Sequence, residues 1–169
     1  MRTIDLTKAN VSGYMKDGIG LWLGAVERDH DLNVQTISID NPKADYVFDF
    51  EVVNWAVNVD FILMQSYVRT AKNPIKALSK ACRLLNAGGY LLIVDNVNPD
   101  AGVKNYFNYG EMEGLLQLLE AFIFIEARGF TGDHKHYYYV CKKKLEAVDN
   151  GETLECENET GTEETSEKG

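Results

Sequence analysis

Long apolar runs are missing from this sequence. No stretch approaches the roughly 20 residues needed to cross a bilayer as a helix, and Met1-Arg2-Thr3-Ile4-Asp5 opens without the apolar region of a signal peptide. Cysteine is scarce: Cys82, Cys141 and Cys156 are odd in number, far apart and in no CxxC pair. That pattern argues against a disulfide framework and a structural zinc site, and leads us to expect a reducing, cytoplasmic setting with no membrane association. There are three histidines, His30, His134 and His136. The cluster Asp133-His134-Lys135-His136 lacks a cysteine partner in spacing, so it reads as a surface loop and no metal is expected. Neither a Walker loop nor a dinucleotide fingerprint is present.

Positive charge is also short. The chain has 17 Lys and Arg against 26 Asp and Glu, a net charge of -9, but the imbalance is local. Residues 145–169 hold nine acids and one base, hence -8, which leaves residues 1–144 near -1. A nearly neutral body offers no electrostatic footprint for nucleic acid. The last segment has little apolar content beyond Leu145, Val148 and Leu154, too little to offset the entropy of ordering it. The expected organisation is one α/β domain over 1–144 and a disordered acidic tail over 145–169.

What is present is an alternation of strand and helix signals. Asn73 can cap a helix, Pro74 suits its first position, and Ile75, Leu78, Cys82 and Leu85 recur at helical spacing. Gly88 or Gly89 is expected to close that helix, and Tyr90–Val94 then reads as a strand buried on both faces. Short apolar runs at 20–23, 34–39, 46–48 and 59–64 predict earlier strands. Asn108 with Glu111 predicts a capping box opening a helix with Met112, Leu115, Leu116 and Leu119 inward. The runs 122–125 and 137–141 predict an antiparallel pair. Together these imply a mostly parallel sheet with helices on both faces.

The stretch "VDFILMQSYVRTAKNPIKALSKACRLLNAGGYLLIVDNV" resembles the central segment of class I S-adenosylmethionine-dependent methyltransferases of the type 11-like group. The likeness is carried by Asp60-Phe61 near a strand start, Tyr67-Val68-Arg69 in the following turn, Asn73-Pro74 and Ala77-Leu78 in the helix, and Arg83 to Gly89 at its close. It extends over roughly residues 19–143. The resemblance implies a Rossmann-like sheet with a C-terminal antiparallel strand pair, a compact or truncated N-terminal half, and S-adenosylmethionine as cofactor. Leu21 to Val26 matches the family's glycine-rich first loop with a single glycine, Gly24, so that loop is degenerate and Ala25 and Val26 narrow it.

By the same resemblance Asp40 ends strand two, where an acid binds the ribose hydroxyls, and Asp49 follows strand three, beside the adenine. Gln65 follows strand four, where this type of sheet opens its ligand crevice. Asp95 and Asn96 end strand five on that side and are candidates for positioning a substrate. Each has a plainer reading: Asp40 as a turn residue before Asn41-Pro42, Asp95 and Asn96 as strand caps. No nucleophile–base pair is visible, and methyl transfer from a sulfonium needs none, because alignment of the acceptor carries most of the catalysis. Two functions stay open: methyl transfer to a small-molecule or protein acceptor, or a non-catalytic relative serving as a binding or regulatory partner.

Overall fold

In the computed structural model the described residues are 11–15, 18–24, 33–98 and 106–145. The expected tail (all but its first residue, Leu145), the narrowing pair Ala25 and Val26, His30 and Cys156 lie outside them. The strands are β1 (Gly20–Leu23), β2 (Val34–Ser38), β3 (Tyr46–Val47), β4 (Val59–Gln65), β5 (Leu85–Asn96), β6 (Ile123–Phe130) and β7 (His136–Lys143). They form one sheet in the order β3-β2-β1-β4-β5-β7-β6. The first five strands run parallel, and β7 enters antiparallel between β5 and β6. Strand order reverses between β1 and β4, so the carboxyl ends of these two neighbours flank a crevice.

Helix α1 (Pro74–Leu84) starts as its sequence dictates, with the Asn73 side chain accepting the Lys76 N–H at 3.0 Å. Helix α2 (Tyr109–Gln117) carries the complete capping box: Asn108 Oδ1 accepts the Glu111 N–H, and Glu111 Oε2 accepts the Asn108 N–H, each at 2.9 Å. Such caps contribute about 1 kcal/mol each by pairing amides the helix itself cannot satisfy.

Helices on both faces are not what the described residues show. Ala77, Leu78, Ala81 and Cys82 of α1 and Met112 and Leu116 of α2 join one core with Leu21, Leu23, Ile37, Ile62, Met64 and Ile93. The alternate strand residues Trp22, Val34, Phe61, Leu63, Leu92 and Val94 form a second core on the opposite face, with Val11 and Met15 beside a 3-10 turn, Ser12–Tyr14. The described links of the first half add no helix to either face. Residues 39–45 and 48–58 link their strands through turns and extended chain, with no helix.

The Gly88-Gly89 pair does not end the helix either. Helix α1 stops at Leu84, and Leu85 already pairs with Val59. The next partners are Phe61 and Tyr90, so residues 86–89 bulge out of the ladder. Gly88 takes the positive φ (+76°) of that bulge. Gly89 is needed for space: a Cβ there would lie 2.7 Å from the Asp60 carbonyl oxygen.

Candidate functional site

The carboxyl edge of the parallel strands carries two residues of unusual backbone, Gly24 and Ser66. Gly24 follows β1 with φ +81°, and a Cβ placed on it would stand 2.4 Å from the Gln65 carbonyl oxygen. Only glycine permits both that conformation and that approach, which brings the ends of β1 and β4 together. Ser66, one residue past β4, also has a positive φ (+53°) although it carries a side chain. Its N–H donates to the Val94 carbonyl at 2.8 Å, which ties the turn to β5. Strained residues of this sort concentrate at ligand crevices because surrounding structure must hold them.

On one side of this edge the polar groups run from open to engaged. Asp40 lies just beyond β2 and is exposed, with one long contact from the Ser38 hydroxyl to its Oδ1 at 3.4 Å. Asp49 is more engaged: Oδ1 accepts the Glu51 N–H at 3.1 Å, and the exposed Lys72 ammonium stands 3.1 Å from Oδ2. Gln65 is buried, and its Oε1 accepts the Trp22 indole N–H at 3.0 Å. That bond satisfies an indole inside the second core, so the Gln65 side-chain oxygen is committed to packing while its backbone borders the crevice.

On the other side they are buried and paired. Asp95, 3% exposed, stands with Oδ1 3.5 Å from Arg69 Nε, and Arg69 is itself 8% exposed. Burial pushes the Asp95 carboxyl up to about 6, against opposing contributions from the Asn96 N–H and Arg69. Asn96 is register partner to His136 across β5 and β7. With its amide oriented to suit its neighbours, the Asn96 nitrogen donates to His136 Nε2 at 2.8 Å, and its oxygen accepts from Arg69 Nη1 at 3.0 Å and Nη2 at 3.2 Å. Nearby, the Tyr137 hydroxyl donates to the Phe107 carbonyl at 2.7 Å, and the Tyr106 hydroxyl donates to the Val97 carbonyl.

The six residues singled out from the sequence therefore share one edge, in two groups. Gly24, Asp40, Asp49 and Gln65 belong to β1–β4, and Asp95 and Asn96 to β5. Sequence reasoning missed Arg69 and His136. In the sequence Arg69 reads as part of a turn and His136 as part of a surface loop. The loop reading holds for Asp133, which accepts the Thr131 hydroxyl and the Lys135 N–H, but His136 turns toward β5. Among the described residues no group of three or more His, Cys, Asp or Glu could hold a metal ion, and no helix is long and apolar enough to cross a membrane.

No family model matches the chain, and no curated protein is similar to it in sequence. Solved structures are similar in fold. A methyltransferase dependent on S-adenosylmethionine from Aquifex aeolicus matches with a TM-score of 0.62 and 16% identity, over 82% of this chain and 89% of that one. The N-methyltransferase NodS from Bradyrhizobium japonicum, solved with S-adenosyl-L-homocysteine, matches with a TM-score of 0.55 and 15% identity, over 82% and 83%. The [4+2]-cyclase SpnF matches at 0.65 with 12% identity, over 83% and 81%. Strand order, the antiparallel insertion of β7 and these likenesses agree: the chain has the fold of the class I S-adenosylmethionine-dependent methyltransferases.

Proposed function

We propose that this chain binds S-adenosylmethionine in the crevice between β1 and β4 and transfers its methyl group to a small-molecule acceptor. The observation that carries this reading is the pairing of Gly24 with Asp40 at the switch point of the sheet. Gly24 lets β1 turn away against the Gln65 carbonyl at the mouth of the crevice, and the Asp40 carboxylate projects at the next strand end with nearly all of its hydrogen-bonding capacity unused. A carboxylate can accept two neighbouring hydroxyls as a fork, which suits a ribose diol. These residues fit the cofactor.

When bound, the cofactor supplies a methyl on a positively charged sulfur, already activated for transfer. The work left to the protein is alignment and exclusion of water. Asp40 would fix the ribose, and Asp49, neutralised in part by Lys72, would border the base. Gln65 would shape the crevice wall through its backbone at Gly24, its side chain being held by Trp22. Asp95 and Asn96, about two strand spacings or 10 Å from β1, would line the acceptor side.

The fold alone does not decide the reaction, as the likeness to a cyclase illustrates. Calorimetry with S-adenosylmethionine and S-adenosylhomocysteine tests the reading directly. Saturable heat with micromolar affinity supports it. Silence at millimolar concentration, in calorimetry and in thermal shift alike, would leave a non-catalytic binding role in its place.

A further inference from the structure

The network on the closed side of the edge does more than bury charge. Arg69 is a permanent cation with N–H groups only, so the part of Asn96 that faces it must be the amide oxygen. The amide nitrogen is thereby turned toward His136, and Nε2 of that ring receives an N–H. A nitrogen that accepts a hydrogen bond cannot itself carry the proton. The proton of the neutral ring is left on Nδ1, which no hydrogen bond engages among the described residues. Protonating Nε2 would set N–H against N–H, and turning the amide over would set its nitrogen against Arg69.

We propose that Arg69 and Asn96 lock His136 as a neutral imidazole protonated on Nδ1, and that this N–H donates to a carboxylate or carbonyl oxygen of the methyl acceptor. The inference rests on the functional reading above, and it names His136 as a binding residue with Arg69 and Asn96 as positioning residues. His136 begins β7 at the same edge as Ser66 and Asp95, and it is half-buried, so a bound oxygen would meet a donor partly shielded from water. Burial and the surrounding charges together favour the neutral ring. Burial lowers its proton affinity most, Asp133 opposes that, and Lys135 and Arg69 reinforce it. Asp95 faces Arg69, its Oδ1 3.5 Å from Nε, and the Tyr137 hydroxyl is engaged with Phe107. A donor fixed in this way keeps its role as pH falls below the range where an ordinary histidine would gain a second proton.

Long-range proton–nitrogen NMR of the full chain labelled at histidine reads the tautomer, with His30 and His134 as internal references. Wild-type protein at pH 7 should show His136 protonated on Nδ1 alone, titrating below the ordinary histidine range. Asn96→Asp places an acceptor opposite Nε2, so the tautomer should invert and the titration midpoint should rise. Sodium acetate, added at constant ionic strength as a carboxylate probe, should shift the His136 signals saturably and leave His30 and His134 unmoved. The Asn96→Asp variant should bind acetate about tenfold more weakly. An Nε2-protonated ring in the wild type overturns the inference even if the variant fails to fold, and so does an equal or absent response of the three histidines to acetate. Neither measurement uses the cofactor. Failure at His136 while S-adenosylhomocysteine still binds by calorimetry overturns this inference alone; no binding of S-adenosylhomocysteine overturns it together with the reading it rests on.

Discussion

The two sides of the carboxyl edge are built from similar residue types in opposite ways. Around β1 and β2, Asp40 stands in solvent with one long contact, whereas around β5 and β7, Asp95, Arg69 and Asn96 are pre-paired and sheltered. An exposed carboxylate costs nothing to maintain and leaves its lone pairs for a ligand. A buried one must be matched in advance, because an unpaired charge in low dielectric is expensive. The open side is therefore suited to recognition, and the closed side to setting where protons sit. Gly24 and Ser66 form the seam between them.

The largest effect is expected at that seam. Gly24→Val forces a side chain against the Gln65 carbonyl at a positive φ, so destabilisation of about 3 kcal/mol or more should follow. Thermal unfolding should show a midpoint about 10 °C lower. A wild-type midpoint would mean that β1 and β4 are not held together there.

The closed side should reveal itself through pH. The Asp95 carboxyl is raised to about 6 in the folded protein, against 3.8 as its ordinary value. Between those limits the native state holds more protons than the unfolded chain, so this group's contribution to stability falls as pH rises from about 4 to about 6, then levels off. Asp95→Asn does not titrate. Subtracting its stability profile from that of the wild type should leave a difference declining with pH by up to about 3 kcal/mol. Denaturant unfolding at several pH values measures it, and a flat difference would place Asp95 in water.

The open side should show the reverse pattern, with binding affected and stability untouched. A charge-assisted hydrogen bond contributes about 1.5–3 kcal/mol, so Asp40→Ala should weaken S-adenosylhomocysteine binding by about ten- to a hundredfold in calorimetry. Its thermal midpoint should stay at the wild-type value. A large fall in stability would put Asp40 on the same footing as Asp95. The smallest effect is expected for Ser66→Gly, which relieves the positive φ while adding backbone freedom to the unfolded chain. The two terms nearly cancel, leaving stability within about 1 kcal/mol of wild type by denaturant unfolding.

Much of the second half was legible because its signals are local. Asn73-Pro74, the Asn108–Glu111 box and the apolar run 90–94 each act within a few residues, and each element formed where they placed it. The Gly pair misled for a physical reason: a glycine can end a helix or seat a bulge, and only the register with β4 separates the two. Among the described residues the α-helices lie against one face only, and apolar strands buried on both sides do not say what covers them. In the site, strand ends and the resemblance pointed to Gly24, Asp40 and Asp49. Gln65 was drawn toward Trp22, 43 residues away, by an indole that needed an acceptor.

By itself, then, the sequence determined the strand and helix succession, the concentration of acid after residue 144, and the carboxylates at the ends of strands two, three and five. These follow from short-range periodicity, capping chemistry and composition, which act before the chain folds back on itself. Tertiary structure alone decided which carboxylate stays in water and which is buried against Arg69, and it alone turned His136 from a loop residue into the partner of Asn96. Proton affinities and hydrogen-bond directions depend on neighbours brought together from distant positions, and no local pattern encodes them.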